Sequence, residues 1–342
     1  MAKIGNWLKR ERVIRHSWIG LQLTASIILT SSLFLPAAEL FGLETVNLAL
    51  TSKSFQQVLY PLAQDRGFMQ EEGIDLKIVY IEATPSVQAL VAGNVHFTGA
   101  GTSALIAITR GGAPLKVVLA VNDRVHQWLL SRPEITSPKA LKGKRIATTG
   151  VGSVVTFMLK QILAKHGLDP SRDVVYIDTG TGNQLQALVA KVVDAAVLGT
   201  EQRYAGVDAG MREMFYFGNE VKNSWGTLAT TDRLIKEQPK LVASFMKATL
   251  KTLRRMRQDR GTSITAISKF SGLERSLVAR TYDDMISTFT TNGAVDAETQ
   301  RNDLAIVHEV VGIKEAIPIE RAYDFSFALE VDRQLTEAGW RQ

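Results

Sequence analysis

The chain has 342 residues, of which 45% are hydrophobic and 22% charged; that is room for about two domains with a large core and excludes disordered, collagen-like and solenoid classes. The absence of cysteine excludes disulfides, thiolate zinc sites, cysteine nucleophiles and cysteine-anchored lipoproteins. Of the net charge of +6, +4 falls within the first sixteen residues (Lys3, Lys9, Arg10, Arg12 and Arg15 against Glu11), so the rest lacks the clustered basic excess of a nucleic-acid-binding face.

Residues 17–38 form an uncharged stretch of 22 that ends in Pro36-Ala37-Ala38. A basic start, an apolar run and small residues at its end describe an export signal. Residues 1–38 are therefore expected to be a signal peptide or, because such a run is long enough to cross a bilayer, an uncleaved N-terminal anchor. Either way the remainder is expected outside the cytoplasm: periplasmic, or held at the inner membrane. No later stretch approaches the length of a membrane span.

The remainder alternates short apolar runs with helical periodicity. Strands are expected at 45–50, 76–81, 95–98 and 116–121. Helices are expected at 55–70, 87–92 and from the glycine turn 99–103 to about Arg110. The segment 132–142, with two prolines, reads as a connector. A second run follows: strand 145–148, helix 154–166, strand 173–177, loop 178–182, helix 184–190 and strand 194–198. From 233 to 341 long helices dominate, with Gly261, Gly272 and Gly293 as expected breaks. The rhythm predicts an α/β fold with mainly parallel sheets.

Gln88-Ala89-Leu90-Val91-Ala92 and Gln186-Ala187-Leu188-Val189-Ala190 are identical pentapeptides, each followed three residues on by a valine and then by a short apolar run. The echo predicts two similar lobes. Four expected strand ends lead into helices through hydroxyl or glycine residues: Thr51-Ser52-Lys53-Ser54, Thr84-Pro85-Ser86, Gly101-Thr102-Ser103 and Gly150-Val151-Gly152-Ser153. Helix N-termini leave backbone N–H groups unpaired and carry partial positive charge, so such ends suit carboxylate, sulfonate or phosphate oxygens. Each is also an ordinary helix cap; four of them shared between two lobes favour a common cleft beyond the strand C-termini.

Several segments carry a resemblance: 67–106, 111–121, 141–174, 187–202 and 228–249, with LKGKRIA before a glycine-serine turn and the later VDAAVL as the most specific. The chain resembles periplasmic substrate-binding proteins of ABC importers in the nitrate, sulfonate and taurine family, which is related to binders of thiamine-precursor pyrimidines. The resemblance implies a type II binding-protein fold, with residues 45–127 and 228–342 in lobe I and 128–227 in lobe II. Crossovers are implied near 127–132 and 224–230. It also implies a monomer that closes on a small, anionic organic or oxyanion solute and delivers it to a membrane permease, with no catalysis, cofactor or metal.

Three positions depart from the family pattern. Lys191 stands for the usual glycine of a G-x-V-D turn, where a left-handed residue is common. His96 stands for an aspartate, and Gly199-Thr200-Glu201-Gln202 replaces a more usual aromatic-Glu-Pro or Pro-Pro stretch.

The candidate ligand contacts are Thr51, Ser52, Phe55, Ser86, Gly101, Thr102, Ser103, Asn122, Gly152, Ser153, Thr181 and Glu201. Glu201 would meet a cationic or N–H group. Phe55, Trp128, Tyr204 and Trp225 are candidate aromatic clamps, and Lys53, Arg124 and Arg203 candidate cations. The basic run Lys247, Lys251, Arg254, Arg255, Arg257 and Arg260 reads as a solvated helix face.

Three rival functions are a membrane-anchored ligand sensor of the same fold, a ligand-sensing transcription regulator and a dinucleotide-dependent enzyme. The regulator lacks a helix-turn-helix. The enzyme rests on Gly99-Ala100-Gly101-Thr102-Ser103-Ala104 alone, a weak match to G-x-G-x-x-A. The five histidines have no metal-ligand spacing. A pyrimidine-synthesising relative shares the fold, but that resemblance implies cysteine chemistry, for which this chain has no residue.

Overall fold

A computed structural model describes residues 42–180 and 182–341. The expected export segment and Thr181 lie outside the described residues. Among these, no helix is long and apolar enough to cross a membrane.

Ten strands form two five-stranded sheets. The first contains β1 (Glu44–Leu50), β2 (Ile74–Tyr80), β3 (Phe97–Thr98), β4 (Leu115–Asn122) and β10 (Trp225–Thr231), in the order β2-β1-β3-β10-β4. The second contains β5 (Gln127–Ser131), β6 (Lys144–Thr148), β7 (Val174–Asp178), β8 (Ala195–Gly199) and β9 (Arg212–Tyr216), in the order β7-β6-β8-β5-β9. β1 and β6 stand second in their sheets and pair in parallel with both neighbours. β10 and β5 run antiparallel to their neighbours in the fourth place of each sheet. The two sheets thus share one plan: a two-lobed α/β architecture with mixed sheets.

Burial explains why these segments are strands. The last residues of β1 and nearly all of β4 are buried, which requires the continuous apolar runs of strands covered on both faces. The repeated pentapeptide falls in helix Ala83–Val91 before β3 and in helix Gln184–Val189 before β8. Both strands occupy the third place of their sheet.

Differences from the sequence reading have local causes. Gly67, at φ +77°, breaks the expected 55–70 helix into Leu59–Asp65 and Phe68–Glu71. The 84–86 segment lies inside helix Ala83–Val91 rather than in a loop. The break expected at Gly261 falls at Asp259, whose carboxylate accepts from Thr262 N at 3.0 Å and caps helix Arg260–Ser271.

The basic run is a solvated face only in part: Arg255 and Arg260 are exposed, but two of its members turn inward. In helix Pro239–Gln258, Lys251 and Arg254 are buried. Lys251 Nζ donates to Glu71 (2.9 Å) and Glu72 (2.6 Å). Arg254 donates to Trp340 O (2.6 Å), Asp332 Oδ1 (2.5 Å) and Thr336 Oγ1 (2.9 Å). These ion pairs tie the C-terminal helix Ser326–Glu337 and the Phe68–Glu71 turn onto the first sheet's core, because a buried cation must be paired.

The chain passes between the sheets twice: from β4 to β5 through residues 123–126, and from β9 to β10 through Phe217–Glu220 and residues 221–224. Helix Ala297–Val311 packs on both Gly101–Gly111 and Val154–Lys165, so it spans the two lobes on one side. Helix Arg275–Met285 meets Thr200–Asp208: Tyr204 Oη donates to Arg280 O at 3.0 Å, and Asp284 accepts from both Tyr204 and Arg203.

Candidate functional site

β1, β3 and β8 all end at one groove between the lobes, with a volume of about 430 Å³. One wall is the loop after β1 (Thr51, Ser52, Ser54) and the start of helix Gly101–Gly111. The facing wall is Gly199, Thr200 and Glu201 at the start of helix Thr200–Asp208. His126 at the end of the first crossover, Gln127 at the start of β5, and Trp225 to Thr227 at the start of β10 add to the lining.

The Gly101–Gly111 helix supplies the donors. It starts at Ala100 without a side-chain cap. Its first backbone bond there runs from Ala104 N to Ala100 O at 3.0 Å, so the N–H groups of Gly101, Thr102 and Ser103 precede the helical ladder. The half-buried hydroxyls of Thr102 and Ser103 line the groove. Gly101 is needed for packing: a Cβ there would lie 2.0 Å from Thr227 Oγ1 and 2.8 Å from the Thr227 carbonyl.

The loop after β1 is less available. Gln57 Oε1 accepts from Thr51 N (2.9 Å) and Ser52 N (3.2 Å), and its Nε2 donates to Thr51 Oγ1 (2.8 Å). Both expected backbone donors are therefore consumed by a buried side chain, which leaves this loop its hydroxyls.

Of the twelve candidate contacts, Thr51, Ser52, Gly101, Thr102, Ser103 and Glu201 line the groove. Five lie elsewhere. Phe55 is in the core, edge-on to Tyr282 and Phe289 at 6.4 and 5.8 Å. Ser86 is buried inside its helix, bonded to Ala83 O (2.8 Å) and Thr98 Oγ1 (3.0 Å). Asn122 is buried, and its Nδ2 donates to Thr288 Oγ1 at 3.1 Å. Gly152 and Ser153 stand at the start of Val154–Lys165, where Ser153 Oγ accepts from Thr156 N at 3.2 Å as an ordinary cap. Thr181 is outside the described residues.

Among the aromatics, Trp225 lines the groove. Trp128 is buried and stacked on Tyr216 at 4.7 Å, and Tyr204 is committed to Asp284. The candidate cations stand off: Arg203 is held by Glu213 and Asp284, Arg124 pairs with Asp123 at 3.3 Å, and Lys53 sits over Tyr80 and Phe270. Sequence reasoning missed Gln57 and His126, because neither lies in a glycine- or hydroxyl-rich turn.

The electrostatics follow. No lysine or arginine lines the groove among the described residues, and Glu201 is its one formally charged side chain. Burial raises the Glu201 pKa above the usual carboxylate range. Groups of three or more histidines and acids able to hold a metal are absent among the described residues.

Comparison with solved structures finds the same fold. The sulfonate ABC transporter periplasmic sulfonate-binding protein SsuA of Methylobacillus flagellatus KT superposes with a TM-score of 0.73 at 18% identity, over 87% of this chain and 96% of that one. The alkanesulfonate-binding protein SsuA of Xanthomonas axonopodis pv. citri, bound to MOPS, gives 0.65 at 21%, over 82% and 98%. The desulfurization enzyme DszB gives 0.66 at 13%, over 85% and 99%. The fold is thus that of periplasmic binding proteins, and because it also carries an enzyme it does not by itself assign an activity. Comparison with curated proteins gives no match. Residues 55–260, well over half of the chain and both sides of the groove, match the family described as NMT1/THI5 like: the chain belongs to the NMT1/THI5-like family.

Proposed function

We propose that the chain is an extracytoplasmic solute-binding protein whose lobes close on a small oxyanion-bearing solute and which hands that solute to an ABC permease. In this reading one lobe is built on β1 to β4 and β10 and the other on β5 to β9, so the boundaries fall at the crossovers 123–126 and 217–224 rather than at the expected 127/128 and 227/228, because Gln127 already pairs in the second sheet and Trp225 in the first; the protein acts as a monomer. The observation that carries it is the interlobe groove with an uncapped helix start on one wall. Gly101, Thr102 and Ser103 bring backbone N–H groups that precede the helical ladder and two hydroxyls to that wall, and no lysine or arginine lines the groove among the described residues. Neutral donors at a helix N-terminus can hold an anion unaided. Contacts from both walls exist only when the lobes approach, so the ligand shifts the population toward the closed form.

A thermal-shift screen of the purified chain with nitrate, sulfonates, small carboxylates and pyrimidines tests it. A true ligand at a hundred times its Kd stabilises by about 2.7 kcal/mol. Thr102→Ala is expected to weaken calorimetric affinity for that ligand by about 1–3 kcal/mol. Ser153→Ala is expected to leave affinity intact and to cost about 1 kcal/mol of stability, as a cap. Unchanged affinity in Thr102→Ala rejects the helix-start site.

A further inference from the structure

Gln57 follows the loop after β1, is 7% exposed and lines the groove. The direction of its carboxamide is fixed by its partners. Thr51 N (2.9 Å) and Ser52 N (3.2 Å) only donate, so the carbonyl oxygen faces them and Nε2 faces Thr51 Oγ1 at 2.8 Å. Nε2 also lies 3.4 Å from Gly99 O. Gly99 makes room for the amide: a Cβ there would stand 3.2 Å from Nε2 and 3.3 Å from the amide carbon.

The amide changes what this wall offers a solute. Successive backbone N–H groups converging on one oxygen form a donor pair suited to an oxyanion, and here the oxygen is the chain's own and carries no charge. The amide also takes up the acceptor side of the Thr51 hydroxyl, whose proton has no acceptor among the described residues. Thr51 lines the groove, so its hydroxyl is left there as a donor. The backbone donors that stay unspent on this wall are those of Gly101 to Ser103. Charge explains the choice of an amide over a carboxylate. Glu201 is the one formally charged side chain of the groove, and no lysine or arginine lines it among the described residues. A second negative group would repel an anionic solute with no cation to offset it.

We propose that Gln57 is a specificity-determining residue: its carboxamide occupies an oxyanion position on the loop after β1, withholds that position from the solute and leaves the Thr51 hydroxyl as a donor. This rests on the solute-binding reading and adds what limits the oxyanion. A singly charged group is served by Gly101 to Ser103 and the hydroxyls, whereas a tetrahedral dianion, which needs donors on more sides, is not.

Calorimetry on the purified chain with nitrate, acetate, methanesulfonate and sulfate tests it. The parent is expected to bind at least one of the three singly charged anions tighter than sulfate. Gln57→Ala vacates both N–H groups and is expected to move the affinity ratio toward sulfate about tenfold or more. Acetamide, the fragment this substitution removes, is expected to return the ratio in Gln57→Ala toward the parent value and to leave the parent unchanged; a purely structural amide would recover stability without moving the ratio. Gln57→Glu keeps the shape and both backbone hydrogen bonds but adds a charge, and is expected to weaken every anion the parent binds about tenfold or more. A ratio unmoved in Gln57→Ala overturns the inference, as does Gln57→Glu binding these anions as the parent does; if Gln57→Ala does not fold, Gln57→Glu decides alone. Anions that bind the parent and both variants alike sink the inference and leave the solute-binding reading standing. If none of the four binds the parent or either variant, the reading of an oxyanion-binding groove fails first, and the inference falls with it.

Discussion

Lys191 holds φ at +60°, the one non-glycine residue in the left-handed region among the described residues. Its counterpart in the first lobe, Gly93, has φ +79°. A side chain there costs about 1–2 kcal/mol, of which a glycine returns part through its looser unfolded state. Lys191→Gly is therefore expected to stabilise the chain by about 1 kcal/mol, read as a higher urea midpoint at unchanged slope; a lower midpoint contradicts the account. This position was legible because a glycine turn has a fixed residue pattern. The groove residues were legible only in part. Serine and threonine at a strand end serve as caps, core pins or ligand donors alike, and Ser153, Ser86 and Thr102 took one role each. His126 gave no local signal. Its ring is held at the groove by contact with the Thr288 hydroxyl, 162 residues away in sequence.

At the scale of elements, the two lobes repeat one hydrogen bond with different chemistry. Asp194 Oδ2, just before β8, accepts from Arg145 N in β6 at 2.8 Å; His96 Nδ1, just before β3, accepts from Asn47 N in β1 at 2.9 Å. Both pairs are 49 residues apart. His96 thus stands in for the aspartate as the acceptor that registers a helix–strand unit against the second strand of its sheet. Only the neutral ring can accept, and burial lowers its pKa below the usual 6.5. The unfolded chain then binds the proton more readily, so this contribution is complete above about pH 6.5 and is lost as pH falls below it. His96→Asp is expected to lose less stability than the parent between pH 7 and pH 5 in urea melts, and equal losses would remove the histidine from that role. The parallel strands were readable because covered strands are continuous apolar runs. β5, β9 and β10 were not read as strands. QWLLS, REMFY and WGTLATT mix polar and apolar residues, and their partners are set by the crossovers rather than by their own pattern.

The molecule as a whole is held at its second crossover by one buried acid. Asp303, in the helix Ala297–Val311 that spans both lobes, accepts from Asn223 Nδ2 (2.9 Å), Ser224 N (3.0 Å), Ser224 Oγ (2.6 Å) and Tyr323 Oη (3.1 Å). Four donors favour the carboxylate, yet burial outweighs them and raises its pKa to about 6. The sign differs from that of a surface ion pair. Because the folded form keeps the proton longer than the unfolded chain, stability is highest below about pH 4 as far as this group is concerned. It then declines as pH rises through 6, by about 3 kcal/mol for a shift of about two units. Asp303→Asn does not titrate, so it isolates the effect: the stability of the parent minus that of the variant is expected to fall by about 3 kcal/mol between pH 4 and pH 7 in denaturant melts. A difference that rises over this range would mean the four donors outweigh burial. The crossover would then be fastened by a permanently charged carboxylate.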